Sequence, residues 1–282
     1  MNAPSVLERV RQHLVQLKLV CSLEVLDDTM SRVEQGQLSV LEAIDVLLSD
    51  ECANRETRRI KAARMSGRLT QIKTLESFDF SFQPSLDRNR ILTLAQLGFI
   101  ERHQCVHLLG PPGVGKSHIA LALGMEAIKA GKTVYYTSLT DLIATLTKAE
   151  REDNLVTRVR YFNRAALLIV DEVGYLPISS SGANLFFQLV NSRYEKGAMI
   201  LTSNRGFKEW GEVFGDNVIA AALLDRLLHH AVVIEIEGNS YRLREHADLV
   251  PDSLKGSHRQ TEKPAVKRRG RSKKATAAAK GS

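Results

Sequence analysis

Two hydrophobic rhythms divide the chain. Over residues 1–70 apolar positions recur every three or four residues. Leu7, Val10, Leu14 and Leu17 share one helical face, and Leu41, Ile44, Leu47 and Leu48 share another. Each run opens on a capping box, Ser5-Val6-Leu7-Glu8 and Ser39-Val40-Leu41-Glu42. There a Ser hydroxyl and a Glu carboxylate satisfy the first unpaired N–H groups of a helix. A third helical stretch, Asn54 to Arg68, turns basic with Arg55, Arg58, Arg59, Lys61, Arg64 and Arg68. That charge fits either a solvated face or a surface for an acidic partner. From about residue 90 to 245 short apolar runs alternate with helical patterns, which predicts an α/β fold with a parallel sheet and crossover helices. The predicted strands are Cys105–Leu109, Thr133–Ser138, Leu167–Val170, Ala198–Thr202 and Val232–Ile236. The uninterrupted run Leu167-Leu168-Ile169-Val170 marks a strand buried on both faces. Val232–Ile236 alternates more and reads as an edge.

Charge changes the picture at the C-terminus. Of the net +7, residues 251–282 hold +8, from 10 Lys or Arg against 2 acids, which leaves −1 for residues 1–250. A near-neutral body with a basic tail points to a polyanion as the tail's partner. The tail, including Lys267-Arg268-Arg269-Gly270-Arg271-Ser272-Lys273-Lys274, lacks apolar residues to bury and is expected to be disordered. The division is thus a helical domain over 1–70, an α/β domain over 71–250 and the tail over 251–282. No apolar run is long enough to span a membrane, and no secretory signal opens the chain. Cys21, Cys52 and Cys105 are scattered, so neither a zinc site nor a disulfide framework is expected, and a reducing cytoplasm is the expected compartment.

The candidate chemistry starts after the first predicted strand. Gly110-Pro111-Pro112-Gly113-Val114-Gly115-Lys116-Ser117 fits the P-loop pattern G-x-x-x-x-G-K-[ST] at every fixed position. Glycines let the backbone bring its N–H groups against phosphate oxygens, and the helix that follows adds its positive dipole end. Lys116 is placed for the β- and γ-phosphates of a nucleoside triphosphate, and the Ser117 hydroxyl for Mg²⁺. The ATP-binding stretch is taken as Gly110 through His118, so Pro111, Pro112, Gly113, Val114 and Gly115 fall inside it. About 55 residues on, the buried strand ends in Asp171-Glu172. Asp171 suits the Mg²⁺ shell, and Glu172 suits polarising an attacking water. The next strand ends Leu201-Thr202-Ser203-Asn204, where Asn204 either orients that water or simply forms a turn. Arg226 closes a helical run from Asn217. It is either a helix-end cation or an arginine finger offered to a neighbouring subunit's nucleotide. Lys73 to Phe80 reads as the linker into this domain, and Phe78 or Phe80 either joins the core or offers a face to adenine.

These residues carry a resemblance. GPPGVGKS, LLIVDEVGYLP, ILTSN and LLDRLLHHAVVIEIEGNSYR resemble the AAA+ ATPases of the DnaA/DnaC clade, and within it the IstB-like transposition-helper ATPases. It covers about residues 70–245 tightly and the helical N-terminus loosely. The resemblance implies a five-stranded parallel sheet and an ATPase with Lys116 and Ser117 as Walker A, and Asp171 and Glu172 as Walker B. Asn204 would be sensor 1 and Arg226 the trans-acting finger. It further implies a homo-oligomer that assembles on duplex DNA, remodels it and recruits a partner transposase through the N-terminal helices. Little sequence follows Ile236 before the tail, so a helical lid is not expected, and Arg242 is only a weak candidate for sensor 2. Between Thr140 and Arg164 a helical pair carries Lys148, Arg151, Arg158, Arg160 and Arg164 interleaved with Glu150, Glu152 and Asp153, which is either a solvated mixed-charge surface or, as the resemblance implies, a group set against the DNA backbone. A DnaC-type replicative helicase loader shares the core and motifs and is the alternative reading. A DNA scaffold with negligible turnover and a small-molecule P-loop kinase are more distant rivals.

Overall fold

The computed structural model describes residues 4–244. The basic tail predicted over 251–282 lies outside the described residues. Helices α1 (Val6–Gln16), α2 (Val20–Glu34) and α3 (Val40–Ser66) come first. Both predicted capping boxes form, at Ser5 with Glu8 and at Ser39 with Glu42. The second and third predicted helical stretches are one 27-residue helix, α3. The apolar pattern stops near Asn54, but no Gly or Pro interrupts residues 40–66, so the backbone continues. Helix α2 pairs with α3 through buried Leu26 and Ala43, and the Ser22 hydroxyl donates to the Leu47 carbonyl at 2.5 Å. The apolar stripes face outward instead: Leu7 and Val10 on α1, Leu17 just after it, and Leu41, Ile44 and Leu48 on α3 are exposed.

The predicted basic face of α3 is partly structural. Arg59 donates to the carbonyls of Ile128 (3.1 Å) and Lys129 (3.0 Å), which close a later helix, and Arg68 lies over the Tyr135 ring. Cationic groups suit such helix ends, where carbonyls lack intrahelical partners.

Helices α4 (Arg88–Ala95) and α5 (Gly98–Glu101) lead into the alternating region. There β1 (Cys105–Leu109), α6 (Lys116–Lys129), β2 (Val134–Ser138), α7 (Leu139–Arg151), α8 (Leu155–Asn163) and β3 (Leu167–Val173) follow in turn. The remainder is α9 (Ser180–Arg193), β4 (Ala198–Ser203), α10 (Trp210–Phe214), α11 (Asn217–Leu228) and β5 (Ala231–Glu235). The strands form one parallel five-stranded sheet in the order β2-β3-β4-β1-β5, with β5 at an edge. Side chains alternate across a strand, and this explains the uninterrupted apolar runs. Leu167, Ile169 and Ile200 meet α6 on one face. Leu168, Val170, Met199 and Leu201 meet α7, α9 and α11 on the other. The edge of β2 is covered too, because Tyr136 N–H donates to the Gly67 carbonyl at 2.8 Å. Among the described residues no helix is long and apolar enough to cross a membrane.

Arg193, at the end of α9, is 2% exposed and stitches three segments together. Its guanidinium donates to the carbonyls of Phe162 (2.9 Å), Ala165 (3.0 Å) and Ala198 (2.8 Å). Bonds from a charged donor are each worth about 1.5–3 kcal/mol. Arg193→Ala is therefore expected to lower unfolding free energy by at least about 3 kcal/mol. Urea denaturation followed by fluorescence of Trp210, the single and fully buried tryptophan, checks this.

Candidate functional site

Because every strand runs the same way, the turns after β1, β3 and β4 meet at one end of the sheet, where open α/β folds carry ligands. They line a cavity of about 710 Å³. Gly115 caps α6 in the left-handed region at φ 99°, and an added Cβ there would lie 2.5 Å from Phe78 Cε2. Only glycine meets both conditions. Phe78 packs edge-on against His118 and Phe80, joins the core on one side and lines the cavity on the other. Phe80 packs on the core and does not line the cavity.

Lys116 opens α6 with its Nζ donating to the carbonyls of Gly110 (2.8 Å) and Pro111 (2.7 Å). Burial brings its pKa down to about 8, with the Asp171 charge opposing and the Arg242 charge reinforcing the shift.

Asp171 is buried and satisfied entirely by hydroxyls. Ser117 Oγ donates to its Oδ1 at 2.9 Å, Thr202 Oγ1 donates to the same oxygen, and Tyr136 OH donates to Oδ2 at 2.6 Å. Glu172, one residue on, sits in the left-handed region at φ 62°. The β3–β4 register slips between Val170 and Val173, and Glu172 N–H donates to Thr202 Oγ1 at 3.0 Å. This local turn leaves the Glu172 side chain exposed in the cavity wall while Asp171 stays buried. Backbone strain of this kind costs about 1–3 kcal/mol and persists only where neighbours hold it. Asn204 lines the same cavity, and its Oδ1 is buried without a hydrogen-bond partner.

After β5 the chain folds back over the loop at residues 110–115. Tyr241 N–H donates to the Gly113 carbonyl at 3.0 Å, Gln83 Nε2 to Asn239 O at 3.0 Å, and Ser85 Oγ to Glu237 O at 2.5 Å. This strap places Arg242 in the cavity wall. Among the described residues no α-helix follows β5.

Lys116, Ser117, Glu172 and Asn204 are thus brought together, with Asp171 directly behind them. Arg226 is not. It lies near the end of α11, over the Tyr194 ring, at the opposite end of the sheet. Lys148, Arg151, Arg158, Arg160 and Arg164 are exposed along α7 and α8, away from the cavity, with Lys148 facing Glu152 at 3.8 Å. Sequence reasoning missed Tyr136, which no motif marks, and the bridging part of Thr202. It also missed the strap, whose bonds to Gln83 and Ser85 join residues more than 150 apart in the chain.

A glycine-shaped anion loop, a buried lysine and two carboxylates of contrasting exposure at the C-terminal end of a parallel sheet define a P-loop nucleotide-binding core. The chain belongs to the family of IstB-like ATP binding proteins, whose profile matches residues 12–248. It is similar to the ATP-binding protein of insertion sequence IS21 from Pseudomonas aeruginosa, 48% identical over 219 residues, which cover 78% of this chain and 83% of that one. It is also similar to the ATP-binding protein of insertion sequence IS5376 from Geobacillus stearothermophilus, 40% identical over 238 residues, covering 84% and 95%. Among solved structures DnaI shares the fold, with a TM-score of 0.50 and 20% identity over 58% of this chain and 90% of that one. The α/β core is that of a P-loop ATP-binding protein.

Thr202 is the hydroxyl on which both acids depend. Thr202→Val keeps the volume and removes the bonds to Asp171 and Glu172, so a stability loss of about 1–3 kcal/mol is expected. Thr202→Ser restores most of it. Denaturant midpoints of the two variants check this, and equal losses in both would assign the effect to packing.

Proposed function

We propose that this protein is an ATP-hydrolysing AAA+ regulator that assembles on duplex DNA and activates a partner transposase. The observation that supports hydrolysis best is the contrast between a buried Asp171 bonded to Ser117 and an exposed Glu172 in the same cavity. In this reading the triphosphate lies against residues 110–118, and Lys116 exchanges the Gly110 and Pro111 carbonyls for β- and γ-phosphate oxygens. The oxygen-only pair Ser117 and Asp171 suits Mg²⁺, which neutralises phosphate charge when bound. Glu172 takes a proton from the water that attacks the γ-phosphorus as the bond to the β-phosphate oxygen breaks, releasing ADP and phosphate. Asn204 aligns that water with its unpaired Oδ1. Arg242, carried on the strap, reaches the phosphates from the side opposite α6.

Arg226 serves a neighbouring copy in this proposal. A five-residue strand separates it from its own P-loop, roughly 15 Å at the usual rise per residue. Active sites between protomers follow, and with them a homo-oligomer. Residues 71–250 then act as the ATPase domain. Residues 1–70 act as the docking domain, with exposed Leu7, Val10, Leu41 and Ile44 as the apolar face for the transposase. Lys148, Arg151, Arg158, Arg160 and Arg164 contact DNA phosphates without reading sequence, and residues 251–282 add salt-sensitive affinity. The insertion-sequence relatives support transposition over helicase loading.

ATP turnover and particle size, measured with and without long duplex DNA, test this. DNA and ATP together are expected to drive large assemblies. Arg226→Ala is expected to lose about 10³-fold or more in turnover while still binding ATP. Glu172→Gln should bind ATP and stall as stable assemblies. Mixing these two inactive variants should restore turnover, because one supplies the finger and the other an intact site. Normal hydrolysis by Arg226→Ala would end the shared-site reading, and capture of a replicative helicase by residues 1–70 would favour the loader.

Lys116 adds a pH dependence. With its pKa lowered to about 8, the lysine in nucleotide-free protein is charged below that pH and neutral above it. A triphosphate binds the charged form, so binding takes up a proton at high pH. ATP affinity is expected to hold steady between about pH 7 and 7.5 and then to fall by at most about tenfold per unit above about 8. A fluorescent-nucleotide titration across that range measures it.

A further inference from the structure

At the end of the sheet away from the nucleotide cavity, two turns present three metal-ligating side chains to one another. One turn joins α9 to β4 and carries Glu195, which sits in the left-handed region at φ 57°. The other joins α11 to β5 and carries His229 and His230. Glu195 Oε1 lies 3.9 Å from His229 Nδ1 and 3.6 Å from His230 Nε2, and the ligand atoms of all three residues fall within 4.8 Å of one another. We propose that Glu195, His229 and His230 form a binding site for a first-row transition-metal dication such as Zn²⁺.

Tetrahedral coordination with bonds of about 2.0–2.2 Å puts ligand atoms roughly 3.3–3.6 Å apart. Two of the three separations are nearly there, and the side chains are exposed and able to close the remainder. An ordinary ion pair would account for Glu195 and one imidazole. It does not account for two imidazoles with ring centroids 4.0 Å apart, both turned toward the same carboxylate oxygen. Two protonated rings at that separation repel each other, whereas one dication accepts all three donors.

The backbones behind the ligands are fixed. Arg193 anchors the first turn, where Lys196 N–H and Gly197 N–H both donate to the Arg193 carbonyl. The second turn is held by Cys105 N–H donating to the His230 carbonyl at 3.2 Å, and by His107 Nε2–H donating to the Leu227 carbonyl at 3.2 Å. Metal sites need ligands held by such second contacts.

Two imidazoles and a carboxylate suit Zn²⁺, Co²⁺ or Ni²⁺ and disfavour Mg²⁺, which separates this site from the oxygen-only pair Ser117 and Asp171. Three protein ligands leave a fourth position for water. Cys105 bonds the His230 carbonyl through its backbone N–H, and its thiol is not among the side-chain atoms that converge here. Tyr194 OH and His229 Nδ1 are hydrogen-bonded at 2.6 Å, and the Tyr194 ring carries Arg226 at 4.9 Å. Metal takes that nitrogen from Tyr194. If Arg226 is the finger proposed above, occupancy of this site acts on its immediate support.

The test uses the full chain, stripped with chelator and free of nucleotide, titrated with Zn²⁺ by calorimetry and with Co²⁺ by visible absorption. One equivalent is expected, with the absorption of low-coordinate Co²⁺ and no displacement by excess Mg²⁺. Glu195→Gln and His230→Ala should each weaken binding at least about tenfold while unfolding as wild type does. His13→Ala and the double variant His246→Ala with His258→Ala should keep the equivalent. Absence of micromolar Zn²⁺ binding overturns the proposal, and so does binding that survives both ligand variants or is lost with His246 and His258. None of these outcomes bears on ATP turnover, so this site and the ATPase reading fail separately.

Discussion

The hydroxyl of Thr202 is the constraint on which the nucleotide end of the molecule depends. It donates to Asp171 and accepts from the Glu172 backbone, so one oxygen on β4 sets the positions of two successive acids on β3. A regular strand would point residues 171 and 172 to opposite faces of the sheet. The slip in register after Val170 breaks that alternation. It leaves one carboxylate buried among three hydroxyls and the other free to face solvent. A buried carboxylate without such donors would be costly to keep charged, so the three hydroxyls and the exposed acid are parts of one arrangement.

The same sheet makes the molecule two-ended. Strand β1 delivers the P-loop at its C-terminal end, and at its N-terminal end it touches the turn that follows α11. His107, in the middle of β1, ties the two together. It is buried between Phe207 and Trp210, and burial lowers its pKa to about 4, so it is neutral and spends its Nε2–H on the Leu227 carbonyl. Leu227 is the neighbour of Arg226. A rigid core transmits small displacements because it is close-packed, and β1 with His107 is one packed connection between the P-loop and the proposed finger.

What the sequence made legible follows from which forces act locally. Strands buried on both faces announce themselves as unbroken apolar runs, so β3 and β4 are readable, and the alternating pattern of Val232–Ile236 correctly places β5 at an edge. The P-loop is readable because phosphate contact demands glycine and lysine at fixed spacing. Tyr136 is not, because its hydroxyl reaches Asp171 only through the pairing of β2 with β3, a contact between residues 35 apart in the chain. The strap at residues 236–244 has no apolar period and is held by Gln83, Ser85 and Gly113, so Arg242 carried only a faint signal. The continuity of α3 was visible in the absence of Gly or Pro and was masked by the change from apolar to basic residues.

The N-terminal helices complete the physical argument from the other direction. An amphipathic stripe is normally spent on the core, yet α1 and α3 turn Leu7, Val10, Leu41, Ile44 and Leu48 to solvent while α2 and α3 close on small and polar groups such as Ala43, Ser22 and Thr29. Helix α3 is meanwhile fixed to the α/β core by Arg59 on the end of α6 and by Gly67 on the edge of β2. The stripe is therefore joined through α3 to α6, and α6 begins at Lys116. A partner bound at residues 1–70 and a nucleotide bound at the P-loop would act on opposite ends of one connected helix pair. That linkage requires no further moving part.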